Sequence, residues 1–187
     1  VLREVVSRIP YLSGEPLTEN ASPDRRRVAT WICHAPERVG GIHYAAAEGG
    51  TLALFAGRPI LRTNGAFDGR GALDPRLYLR PREAWEDRLD GRFVVVRCDE
   101  GPRITITTDP IGAYPVFASE ANGIHWVGNN AGAVALATGA TEFDELALAS
   151  VLTVGWSFGG QPLWRSVHRL APNTTHTFKH DALRGVV

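Results

Sequence analysis

Arg92-Phe93-Val94-Val95-Val96-Arg97-Cys98, then Asp99-Glu100-Gly101-Pro102, then Arg103-Ile104-Thr105-Ile106-Thr107-Thr108 is the stretch that decides the fold. Two β-rich runs flank four residues of turn chemistry, so the segment reads as a β-hairpin. Phe93, Val95, Ile104 and Ile106 read as core. A second pair follows, Pro115–Ala118 and Gly123–Gly128, joined through Asn122-Gly123, a dipeptide that favours the positive dihedrals of tight turns. Upstream, Val28–Cys33 and His43–Ala47 are short strand candidates. Thr51-Leu52-Ala53-Leu54-Phe55 reads as a buried strand that ends in a turn at Gly57. Residues 62–84 carry Gly65, Gly69, Gly71, Pro75 and Pro81, which predicts loop with room for one helical turn.

Helical signals come late. Asn130–Thr138 is alanine-rich and stops at Gly139. Asp144 then opens a capped amphipathic helix carrying Leu146, Leu148, Val151 and Leu152, ended by Gly155. Residues 161–178 return to an extended pattern broken by Pro162 and Pro172. Residues 1–27 are punctuated by prolines and by Asp24-Arg25-Arg26-Arg27, which predicts a weakly ordered or edge segment. Many short strands with few helices predict an α+β domain rich in antiparallel sheet, with residues 1–187 as one domain.

Twenty basic and twenty acidic side chains cancel, so no electrostatic argument points to nucleic acid or to an anionic membrane. No apolar run reaches the roughly 20 residues that a membrane-spanning helix needs. Val1–Pro10 includes Arg3, Glu4 and Arg8 and reads as no signal peptide. Cys33 and Cys98 suggest neither a disulfide framework nor a metal cluster, which predicts a reducing, cytoplasmic setting. Cys33, His34 and His43 are a poor metal set, because adjacent strand residues point to opposite faces. Ser150, Ser157 and Ser166 lack the Gly-x-Ser-x-Gly setting of a hydrolase nucleophile. No phosphate-binding Gly-x-x-x-x-Gly-Lys loop is present.

Five segments taken together resemble the second half of the glutaminase domain of asparagine synthetases. Leu89-Asp90-Gly91-Arg92-Phe93 is similar to that family's strand entry. Asp109-Pro110-Ile111-Gly112-Ala113-Tyr114-Pro115-Val116-Phe117 is similar to its "D-P-x-G-x-x-P-L-Y" turn. Val127-Gly128-Asn129-Asn130 with Ala133–Leu136, then Phe143–Gly155, match its two short helices and their lead-in. Leu163–Phe178, with Val167, Leu170 and Pro172, resembles the exit into an ATP-pyrophosphatase domain. The resemblance implies an N-terminal-nucleophile-hydrolase sandwich of two antiparallel sheets flanked by helices. It also implies structural roles for Asp90, Gly91, Phe93, Asp109, Gly112, Pro115 and Pro172.

The family's chemistry requires a first-residue cysteine, whose thiol attacks glutamine while its own α-amino group is the base. Val1 has no such atom, although a chain without methionine is not expected to begin at its native start. Ala56-Gly57-Arg58 stands where the family carries "N-G-E", and Ala56 offers no donor to a developing oxyanion. Asn64-Gly65 reads as a turn. No catalytic and no metal-binding residue is therefore assigned. The expected function is a non-catalytic N-terminal domain of a β-lactam- or macrolactam-synthetase-type ligase. Its adenylating domain, absent from this sequence, would hold ATP and Mg²⁺, and no cofactor is expected here. Partners would be that domain, in cis or in trans, or a second copy, and neither nucleic acid nor membrane. Trp156, Phe158, Leu163 and Trp164 are the candidate interface. Two alternatives remain: a standalone scaffold or binding protein, and an active glutaminase whose cysteine lies outside the sequence.

Overall fold

The computed structural model describes residues 17–21, 29–33, 42–99, 103–179 and 183–186. Alternation of side chains along three long strands organises it. β4 (Thr51–Thr63), β6 (Leu89–Cys98) and β7 (Arg103–Thr108) pair antiparallel, with Leu54 opposite Val96 and Val96 opposite Ile106. β3 (Ile42–Glu48) and β11 (Thr175–Lys179) complete this sheet in the order β11-β7-β6-β4-β3, and β5 (Ala66–Asp68) pairs with the end of β4. Successive residues point to opposite faces. Leu52, Leu54, Ala56, Val94, Val96, Ile104 and Ile106 therefore project to one side, and Ala53, Phe55, Phe93 and Val95 to the other.

The other sheet runs β1 (Leu17–Ala21), β2 (Ala29–Cys33), β12 (Leu183–Val186), β9 (Ile124–Gly128), β8 (Phe117–Ala121) and β10 (His168–Arg169). It is antiparallel except where β12 joins β2 and β9 in parallel. Val116 and Val127 from this side, with Ala118 packed against them, meet the first set of side chains in one buried cluster between the sheets.

Each sheet has an outer cover, and the covers differ. α1 (Ala131–Thr138) lies on β8 and β9, burying Val134 and Ala135 with Trp126 and Val167. The opposite face is covered by four short 3-10 turns between Gly71 and Arg88. Ala72, Tyr78 and Trp85 plug into Phe55, Phe93 and Val95. Each large aromatic contributes about 2–3 kcal/mol by burial. The Tyr78 hydroxyl donates to the Ala72 carbonyl oxygen at 2.6 Å, and burial pushes its phenol well above the ordinary tyrosine value. Arg97, ion-paired with Asp99 at 2.7 Å, also donates to the Tyr78 and Arg80 carbonyl oxygens. Helices are expected on the outside of the sheets; among the described residues an α-helix covers the β8–β9 face and 3-10 turns cover the other.

The two hairpins expected from sequence are present, with shifts. The first strand of the second hairpin begins at Phe117 rather than Pro115. Residues 100–102 of the first turn lie outside the described residues, as do Val28 and most of residues 1–27, of which Leu17–Ala21 form β1. The turn expected at Gly57 is not a turn: β4 continues through it to Thr63, and the reversal falls at Asn64-Gly65. Gly57 has φ +97°, and a Cβ there would run into the Arg92 carbonyl oxygen. Gly91 has φ +91°, and a Cβ there would meet the Arg58 carbonyl oxygen. The two backbones approach so closely here that each strand carries a glycine. Part of the segment read as loop, residues 62–84, is strand, and the rest is the outer cover.

Candidate functional site: a clamped loop and an apolar ledge

Several of the segments singled out in the sequence meet at one end of the two sheets. Val94 is opposite both Ala56 and Thr108, so Ala56–Arg58, the start of β6 and the loop after β7 lie side by side. Asp109 anchors that loop. Its fully buried side chain accepts from three backbone amides, Ile111 at 3.1 Å, Ala113 at 2.8 Å and Tyr114 at 2.7 Å. Its backbone oxygen accepts from Asn173 at 2.9 Å. Gly112, at φ +67°, lets the loop close against Pro172, and Arg169 donates to the Gly112 carbonyl oxygen at 2.7 Å. Thr108 adds a bond to the Ala171 carbonyl oxygen at 2.7 Å. These contacts make a clamp between residues 108–114 and 169–174.

Asp109, Gly112 and Pro172 therefore stand together in the clamp. Pro115 is half-buried and leads the chain into Val116. Asp90 accepts from the Gly91 amide at 2.7 Å at the start of β6, and Phe93 is buried under the outer cover. Arg92 bridges the two groups, its guanidinium carbon 5.6 Å from the centre of the Tyr114 ring. Asn129, at the end of β9, donates to the Tyr114 hydroxyl at 3.2 Å. Burial raises the Tyr114 phenol above its ordinary value, opposed by that hydrogen bond and by the Arg92 charge. At neutral pH the phenol keeps its proton and is a hydrogen-bond donor.

Among the described side chains no cysteine stands at this end, and the Thr108 hydroxyl there is bonded to the Ala171 and Thr174 carbonyl oxygens. Ala56 is buried there, and its methyl side chain offers no hydrogen-bond donor. Cys98 belongs to the opposite end of β6, paired with Leu52 and buried between the sheets. The side chains of Cys33 and His43, and the whole of His34, lie outside the described residues. Among the described residues no group of three His, Cys, Asp or Glu side chains comes together to hold a metal ion. No described helix is long and apolar enough to cross a membrane.

The second feature is a ledge. α2 (Glu145–Val154) starts at Asp144, whose side chain accepts from the Ala147 amide at 2.8 Å. The sequence predicts a capped amphipathic helix carrying Leu146, Leu148, Val151 and Leu152. The structure divides these residues: Ala147 and Ser150 are buried with Leu148 and Val151 half-buried beside them, while Leu146 and Leu152 are 79% and 78% exposed. The next turn adds Trp156 and Phe158, both exposed. Ser150 holds that turn in place. Its hydroxyl donates to the Trp156 carbonyl oxygen at 2.7 Å and accepts from the Phe158 amide at 3.2 Å. The four interface candidates separate here. Trp156 and Phe158 stand on the ledge. Leu163 and Trp164 are half-buried beneath it, Trp164 against the α1 cluster and 6.2 Å from the Phe143 ring.

Neither a family model nor a curated protein matches the chain. Sequence reasoning missed Leu146, Leu152 and Val154 as surface residues. The signal available was the spacing of the small residues: Ala147 and Ser150 are three apart, on one helix face.

Proposed function

We propose that this chain is a non-catalytic, glutaminase-like domain of an ATP-dependent amide-bond-forming enzyme, of the β-lactam or macrolactam synthetase type. In this reading the sandwich is of the N-terminal-nucleophile-hydrolase kind and the ledge is the face offered to an adenylating domain, in cis or in trans. ATP and Mg²⁺ belong to that domain. The exposed ledge carries the proposal. A helix and turn that direct Leu146, Leu152, Trp156 and Phe158 into water, while rigidly tied down by Ser150, suit a surface completed by another body. The Asp109 clamp supports the same reading, because it fixes the segments from which the ledge springs. Ala56 at the expected oxyanion position supports the non-catalytic part.

The test is association. Mixed with the adenylating domain of its own reading frame, the chain should form a complex. Trp156→Glu should weaken that complex by about tenfold or more while leaving the melting temperature unchanged. Trp164→Glu is the poorer probe, since it strikes packed structure. If the wild type binds no adenylating domain and stays monomeric at high concentration, the reading is wrong, and a standalone binding role takes its place. Purified protein should release no ammonia from glutamine; release that depends on a cysteine would restore the active-glutaminase alternative.

A further inference from the structure

A cavity of about 360 Å³, lined by none of the clamp or ledge residues, opens between the Asn64-Gly65 turn and the 3-10 turn Glu86–Arg88. Arg62, Phe67, Asp87 and Arg88 line it together with the turn itself. The two arginines lash its walls together. Arg62 donates to the Asp87 carbonyl oxygen at 3.1 Å, and Arg88 donates to the carbonyl oxygens of Arg62 at 3.2 Å and Ala84 at 3.4 Å. All three acceptors are neutral, so both positive charges persist. Neither arginine has an ion-pair partner among the described residues. Each guanidinium has five N–H donors, and these bonds use one from Arg62 and two from Arg88. The remaining donors sit on side chains already held in place, which reduces the ordering cost of binding. Phe67 presents its ring beside them and is 68% exposed. Asp87 supplies one negative charge against two positive ones.

We propose that this cavity binds a small anion carried on a flat apolar group: a carboxylate or phosphate held by Arg62 and Arg88, with the flat group against Phe67. Two fixed guanidiniums suit the paired oxygens of such an anion, and the exposed ring gives its apolar body a surface to cover. The inference is independent of the ledge and of the proposed partner domain. Its failure would leave that role untouched.

Phenyl phosphate titrated into the whole chain is the probe, read by the arginine side-chain Nε–Hε resonances. Saturable, millimolar binding that shifts Arg62 and Arg88 is expected. Because Arg62 and Arg88 also hold the walls, the deciding variants lie elsewhere. Phe67→Ala should weaken phenyl phosphate about threefold, the scale of an exposed aromatic contact, and leave inorganic phosphate unchanged. Asp87→Asn removes a like charge and should tighten both. Benzoate run in parallel separates the two anion sources: tighter benzoate assigns a carboxylate, tighter phenyl phosphate a phosphate. The proposal is overturned by any of three results: no saturable shift by about 20 mM of either aromatic anion, where binding is too weak to be specific; equal affinity in Phe67→Ala; or weaker anion binding in Asp87→Asn.

Discussion

Helices α1 and α2 are built from similar parts and end in opposite circumstances. Each is short, apolar and nearly free of charge. Each begins at a side-chain cap, Asn130 or Asp144, and each ends at a left-handed glycine. Yet α1 lies on β8 and β9 with Ala133, Val134 and Ala135 buried, while α2 makes no more than glancing contact with any other described element. Caps and propensity decide whether a helix forms, and they are local. Whether its apolar side chains are covered depends on what lies opposite. For α1 the molecule supplies a sheet. For α2 the described residues supply chiefly anchors: Asp144 N–H to the Leu163 oxygen at 2.8 Å, Arg165 N–H to the Glu142 oxygen at 3.0 Å, and the Ser150 bonds.

The largest effect that separates the helices should come from Val134→Asp. A carboxylate placed at that fully buried position should cost more than about 3 kcal/mol or prevent folding, as read by urea unfolding. Next comes Ser150→Ala. Loss of both bonds should cost about 1.5 kcal/mol and speed hydrogen exchange at the Phe158 amide, without disturbing α1. The caps come third. Asn130→Ala and Asp144→Ala should each cost about 1 kcal/mol. The first should lower global stability, and the second should appear mainly as fraying of α2 in hydrogen exchange. The smallest effect belongs to Leu152→Asp, expected within about 0.5 kcal/mol of wild type in the isolated chain. A cost near that of Val134→Asp would break the comparison, since α2 would then be covered in solution.

The sequence made the two hairpins legible because period-two alternation and turn residues coincide there. Asn122-Gly123 adopts the positive dihedrals that its composition favours, φ +53° and +69°. Both helices were legible from caps and stops. The course of β4 was not, because Gly57 carries the same letter whether it turns the chain or admits a neighbouring backbone. Only the register against Arg92 decides between these. The cover over Phe55 and Val95 was hidden for a different reason. Its anchors, Ala72, Tyr78 and Trp85, are spaced irregularly along 3-10 turns and show no period. At the candidate site, Asp109 and Gly112 were legible as a turn, but their tie to Pro172 and Asn173 spans about sixty residues. The ledge was half legible. The crowding of Trp156 and Phe158 marked it, whereas the outward direction of Leu146 and Leu152 was not legible, because composition carries no direction.

The clamp has a consequence for how the chain can be altered. Thr108 and Thr174 are bonded together although 66 residues separate them. The chain between them, with β8, β9, both helices and β10, is an excursion that leaves and returns at one spot. Closing a loop costs free energy that grows only with the logarithm of its length, about 0.6 kcal/mol per doubling. A dozen residues spliced into the exposed turn at Gly159 would hardly alter that cost, and the two ends would still meet at Asp109. The excursion behaves like a cassette on a fixed mount: its outer contour at Gly159 can change while β8, β9 and β10 within it keep their register.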